Sequence, residues 1–203
     1  MKKALLTGRW LAALALTLPM LATAAPKVGS PAPDFELSNH KGETVSLSDY
    51  QGKTVVLEWT NHQCPFVVKH YSKGHMQALQ KKYTDQDVVW LSIVSSAPGK
   101  QGYVTMDQAS DMSEAQGTHR THLLMDSDGV VGKAYAAKTT PHMYVVDKEG
   151  VLQYMGAIDN NSSPSPDDIK GATNYIDVVV PEVMAGKKPS YTTTRPYGCS
   201  VKY

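Results

Sequence analysis

Cysteine is scarce in this chain, with two in 203 residues. That number is too small for a disulfide-stapled miniprotein. Charge of one sign is missing too: 20 basic side chains stand against 19 acidic ones, so the basic footprint of a nucleic-acid binder is absent. There is no internal repeat and no long low-complexity tract. Beyond the first two dozen residues, no hydrophobic run approaches the roughly 20 apolar residues a membrane-spanning helix needs. What remains fits one globular domain in the usual range of about 100–200 residues.

The first segment reads as an export signal. Lys2, Lys3 and Arg9 give a positive start, Trp10 to Leu21 is apolar, and Ala22-Thr23-Ala24 is a small-x-small cleavage site. The expected organisation is a signal peptide over 1–24, a globular domain over 25–186 and a C-terminal tail over 187–203. The bacterial style of the signal points to the periplasm, with no stable membrane insertion. In an oxidising compartment a disulfide persists, so Cys64 and Cys199 are open to pairing, to catalysis or to both.

The body alternates between strand and helix patterns. Residues 34–37 and 44–47 flank Asn39-His40-Lys41-Gly42, a hairpin signal. Thr54 to Trp59 and Asp87 to Val94 are short apolar runs suited to interior strands. From Pro65 to Tyr83, the apolar residues Val67, Tyr71, Leu79 and Tyr83 trace a helical stripe, which Gly74 weakens. A polar helix is expected over 106–116 and a short strand over 123–125. Two further strands, 143–146 and 151–155, are joined by Asp147-Lys148-Glu149-Gly150. Residues 167–185 read as a helix that Pro181 should bend or shorten. The pattern predicts a three-layer α/β/α sandwich with a mixed sheet and an N-terminal β-hairpin.

The chemistry concentrates between the first interior strand and the striped helix, in Glu58-Trp59-Thr60-Asn61-His62-Gln63-Cys64-Pro65-Phe66-Val67. A cysteine at a helix N-terminus meets unpaired N–H groups and the positive end of the helix dipole, and both favour the thiolate. The bland alternative is a small buried hydrophobe. His62 and His70 are near in sequence and would add to the effect if close in space.

This arrangement of strand, Cys64-Pro65-Phe66-Val67 and helix resembles the thioredoxin superfamily, whose active site is C-x-x-C at this point. Thr140-Pro141, just before a late strand, is similar to the threonine and cis-proline that face the active-site cysteine there. Gly29-Ser30-Pro31-Ala32-Pro33-Asp34-Phe35 and Leu47-Ser48-Asp49-Tyr50-Gln51-Gly52-Lys53 resemble the redoxin branch, which contains peroxiredoxins and the TlpA/ResA-type envelope proteins. The likeness spans about residues 28 to 186 and is nearest to a peroxiredoxin-like, single-cysteine AhpC/TSA group. It implies Cys64 as nucleophile, with Pro141 and Thr140 against a partner's backbone. It also implies a buried acid near the cysteine for proton transfer, for which Glu58 is the candidate, although strand periodicity leaves its face open. Val67 stands where the second cysteine would be. Asn61 and Pro141 stand where peroxiredoxins carry a threonine and an arginine, so two donors expected around a peroxide are missing.

Cys199 lies 13 residues past Gly186, and at about 3.3 Å per residue the tail can reach roughly 40 Å. Three readings follow. Cys199 is a resolving partner that releases an adduct from Cys64, a permanent staple to it, or a free thiol meant for another protein. The expected function is an exported thiol–disulfide oxidoreductase of antioxidant type, acting on a thiol or disulfide protein partner or on a peroxide and calling for no cofactor. The rival readings are a copper-binding envelope accessory, with His62, Cys64 and His70 as candidate ligands, and a binding module with a structural disulfide. His142 is a strand-face histidine near Pro141, while His119 and His122 have the spacing of a surface loop.

Overall fold

Strand β3 (Val55–Trp59) is buried along its whole length because its side chains divide between two cores. Val56 joins a core with Val67, Leu79, Tyr83, Val179 and Val183. Val55, Leu57 and Trp59 point the other way, toward Phe35, Leu47, Val131 and Tyr135. This is the period of two expected of a central strand. The computed structural model describes residues 25–203; the proposed export signal over 1–24 lies outside them.

The hairpin β1 (Glu36–Asn39) and β2 (Thr44–Ser46) opens the fold. β4 (Val89–Val94), β5 (His122–Met125), β7 (His142–Val146) and β8 (Leu152–Gly156) complete a seven-stranded sheet of order β2-β1-β5-β4-β3-β7-β8. β3, β4 and β5 run parallel, and the flanking pairings are antiparallel. Helices α1 (Pro65–Tyr71), α2 (His75–Thr84) and α5 (Tyr175–Met184) supply one outer layer. α4 (Val130–Ala134) and the N-terminal segment cover the opposite face. α3 (Met106–Ala115) packs through Ala109 against Val94 and Leu123. The three-layer α/β/α architecture and its mixed sheet are therefore those read from the sequence.

Two helices differ from expectation. The stripe over 65–83 is two helices, because Gly74 adopts φ +76° as the N-cap of α2, a conformation that suits glycine. The helix expected over 167–185 begins only at Tyr175, where the Asn174 side chain accepts from the N–H groups of Ile176 and Asp177. Pro181 lies inside α5, and the helix continues past it to Met184.

The tail is built into the fold. β9 (Cys199–Ser200) pairs antiparallel with β6 (Thr139–Thr140), Thr140 opposite Cys199. On either side of this pair, Met155 N–H donates to Thr192 O, Val201 N–H to Lys138 O, and Ala97 N–H to Lys202 O. The Tyr203 hydroxyl donates to Ala137 O.

Candidate active site

Cys64 is the N-cap of α1, with Pro65 in the first turn, where proline's missing N–H costs the helix nothing. Its thiol has no solvent exposure. The sulfur donates to Thr140 O at 3.1 Å and accepts from Cys199 N–H at 3.4 Å. The Thr140–Pro141 peptide is cis, as the resemblance implied. Cys64, Thr140, Pro141 and Cys199 thus converge on one point, reached from α1, from the lead-in to β7 and from the tail. Cys64 and Cys199 are both free thiols.

Burial opposes ionisation of Cys64. The polar groups of Cys199 and Thr140 beside the sulfur, with the first-turn N–H of Val67, outweigh it, so its pKa lies below the ordinary thiol value. The Thr140 hydroxyl is buried and has no hydrogen-bond partner, so it is available to a charge that develops on the sulfur beside it. Cys199 is displaced the other way, to about 11, by burial and by the neighbouring Cys64 sulfur, with Lys202 opposing weakly. The two cysteines thereby become unequal: one is disposed to ionise and the other to keep its proton.

Gly198 explains how the tail comes so near. Its φ is +129°, and a Cβ there would lie 2.1 Å from Thr140 O, so only glycine lets the strand descend onto the sulfur. On the opposite side of the site, Gly102 presses on Asn61 in the same manner. The Asn61 amide accepts from Gln63 N–H and donates to Gln101 O. It is spent on holding the loop, and neither bond reaches the sulfur.

Glu58 is buried on the Val56 side of β3. It accepts from Tyr71 and Ser92 hydroxyls, Trp90 Nε1 and Gln80 Nε2 at 2.8–3.4 Å. None of these bonds goes to Cys64. His62 is half-buried, and burial lowers its pKa. His142 is buried beside Lys138 N–H and the Tyr144 hydroxyl, and desolvation, with Lys138 adding to it, pushes it down to about 3.

His70 turns away from Cys64, into a cluster that sequence reasoning missed. Lys69 is fully buried. Its ammonium donates to Asn161 O at 2.6 Å and stands 3.5 Å from Asp159. The Tyr197 hydroxyl donates to Asp159 Oδ1 at 2.5 Å, with His70 Nε2 3.3 Å away. Desolvation, partly offset by Asp159, holds His70 down to about 4. Tyr197 also packs edge-on against Phe66. The cluster anchors the tail two residues before Cys199, so it belongs to the site although it does not touch sulfur. Nothing short-range in the sequence announces it. The nearest signal is Lys69-His70 beside an apolar stripe, which reads as a solvated face until the tail is laid over it. Among the described residues there is no group of three or more His, Cys, Asp or Glu side chains placed to hold a metal.

A cysteine at the strand–helix junction, opposite a Thr–cis-Pro and beneath a three-layer α/β/α fold, defines a redoxin of the thioredoxin superfamily. The comparisons agree. The AhpC/TSA family model matches residues 28–155, and the chain belongs to that family. It is similar to the thioredoxin-like protein YneN of Bacillus subtilis, 29% identical over 126 residues, covering 62% of this chain and 68% of the relative. Among solved structures, an uncharacterised conserved protein from Geobacillus kaustophilus superposes with a TM-score of 0.72 at 26% identity, covering 93% of this chain and 98% of that one. A putative thiol:disulfide interchange protein DsbE from Chlorobium tepidum shares the fold, with a TM-score of 0.52 at 21% identity and coverage of 64% and 85%. The family supports thiol-based oxidoreductase chemistry, and no helix of the described residues is long and apolar enough to cross a membrane.

Proposed function

We propose that this redoxin is an exported, periplasmic thiol–disulfide oxidoreductase whose redox pair is Cys64 and Cys199, with Cys64 as the nucleophile. One observation carries the reading: the tail donates Cys199 N–H to the Cys64 sulfur at 3.4 Å, although the two residues are 135 apart in sequence. In the reduced pair, Cys64 is the better thiolate and Cys199 keeps its proton. Joining the sulfurs removes both thiol protons and two electrons, which pass to the oxidised partner; reduction by a partner's thiols reverses this. Thr140 serves through its hydroxyl, and Pro141 shapes the turn beside the sulfur. Glu58 is assigned to the core and not to proton transfer, because its four hydrogen bonds all go elsewhere.

A peroxide is the poorer substrate on this geometry. Transition-state oxygens need donors aimed at them, and the Asn61 amide is committed to Gln63 and Gln101. An antioxidant role thus rests on thiol exchange. The test is to treat the reduced, mature protein with a mild dithiol-specific oxidant and map the product by mass spectrometry without reduction. The expected result is a Cys64–Cys199 disulfide and loss of exchange activity in both Cys64→Ser and Cys199→Ser. A protein that keeps two free thiols under these conditions, or a Cys199→Ser variant with undiminished turnover, would refute the assignment.

A further inference from the structure

Building on that redox pair, we infer that the partner that reduces it exchanges at Cys199, with Cys64 released inside the molecule as the thiolate. When the disulfide is reduced, an incoming thiolate attacks the Cys199 sulfur. A bond forms between the partner's sulfur and Cys199, the Cys64–Cys199 bond breaks, and its electron pair stays on Cys64 as a thiolate. A second thiolate of a dithiol partner then attacks the partner's own sulfur in the mixed disulfide. This closes the partner's disulfide and releases Cys199, which takes up a proton. The partner has lost two electrons and the pair has gained them. This order is the reverse of one in which a mixed disulfide sits on Cys64 and Cys199 resolves it.

The geometry favours Cys199 as the outer sulfur. Cys64 has no exposure, whereas Cys199 is partly open to solvent. Uncovering Cys64 would mean lifting β9, and β9 is pinned on both sides. Before it, Tyr197 is held by Asp159 and packs on Phe66. After it, Val201 N–H bonds Lys138 O, Lys202 O accepts from Ala97 N–H, and the Tyr203 hydroxyl bonds Ala137 O. Attack at Cys199 requires none of these to open. Of two surface clefts of about 650 Å³, one opens beside the site, bordered by Thr139, Tyr197 and Gly198, and Cys64 lines neither.

The chemistry points the same way. The faster exchange at a disulfide expels the sulfur of lower thiol pKa, and that sulfur is Cys64, where Cys199 N–H, Val67 N–H and the Thr140 hydroxyl wait to receive the charge. A Cys199 thiol that keeps its proton is a slow attacker, yet its sulfur makes a sound electrophile once oxidised.

The experiment uses the oxidised wild-type mature protein, first verified by intact mass to contain the Cys64–Cys199 disulfide. It is mixed with a short cysteine-containing peptide as probe, quenched in acid within the first turnover, and mapped under acidic digestion. The expected adduct is on Cys199 with Cys64 free. An adduct on Cys64 overturns the order of attack while leaving the redox pair intact. Failure to form the intramolecular disulfide at the first step refutes the pair itself, so the two failures are separable.

Discussion

Helix α1 sends neighbouring side chains to two buried carboxylates, and they are satisfied in opposite ways. Tyr71 reaches Glu58, which takes four neutral donors from α1, α2 and β4. Lys69 and His70 reach Asp159, which accepts one local bond from Asn161 N–H and depends for the rest on a buried ammonium and on a hydroxyl borrowed from the tail. The Glu58 cluster closes within one face of the sheet and its helices. The Asp159 cluster is completed by a residue 38 positions on, and Asp159 Oδ2 still has no hydrogen bond at ordinary distance. A carboxylate saturated by its own neighbourhood is architecture. One that recruits a distant segment makes that segment's position a condition of its stability, and here the segment carries Cys199.

The sharpest way to break this contrast is Lys69→Ala. It leaves Asp159 buried without its cation, and such a loss typically costs about 3–5 kcal/mol, measured by chemical denaturation. A loss below about 1 kcal/mol, the range of a solvated surface pair, would place the Asp159 cluster in the same category as an ordinary surface contact. Acid comes next. His70 is held at about 4 in the folded protein against 6.5 when free, so the unfolded chain binds its proton first as pH falls. The stability is fully present above pH 6.5 and is lost as pH drops toward 4, by about 3 kcal/mol at 1.36 kcal/mol per pH unit. His142, at about 3, adds loss of the same sign. Denaturation midpoints across pH 4–7 should therefore fall steeply, and His70→Gln should flatten the profile to what His142 leaves. An unchanged slope in that variant would mean His70 is not held neutral.

Smaller effects test the other arm. Glu58→Gln turns an acceptor into a donor facing donors and should cost about 1–3 kcal/mol, with the rate of Cys64–Cys199 disulfide formation unaltered. A tenfold slower rate in a folded Glu58→Gln protein would restore the proton-transfer role implied by the resemblance. Tyr197→Phe removes one hydroxyl from a buried carboxylate and should cost about 1.5–3 kcal/mol. It should also slow disulfide formation measurably by alkylation trapping, because the tail loses its anchor beside Cys199. Equal rates there would show that the pairing of β9 with β6 suffices without the cluster.

Local pattern made much of this legible. The two-residue period of β3, the strand–cysteine–proline–helix order and the Thr140-Pro141 pair each lie within a few residues of sequence, and all three occupy the places expected. Gly74 was visible as a weak point but not as a full break, because whether the chain turns at a glycine is decided by what packs on either side. The apolar spacing of Ile169 and Ala172 mimics a helical face and places the start of α5 eight residues too early, because the Asn174 cap cuts that face off. The face taken by Glu58, the burial of Lys69 and the route of the tail over Gly198 are not legible, although its reach to Cys64 is. Each depends on partners tens of residues away: Trp90 and Ser92 for Glu58, Asp159 and Tyr197 for Lys69, Thr140 for Gly198.

The interlocking of β9 with its surroundings gives proteolysis unusual leverage. A single cut just upstream of Tyr197, followed by departure of the peptide, would strip away one sulfur, bare the other to solvent and leave Asp159 short of a donor. The clipped product would keep its sheet and both cores while trading a concealed two-thiol couple for one naked, ionisable thiol, so that cleavage would change the kind of chemistry on offer as well as its amount.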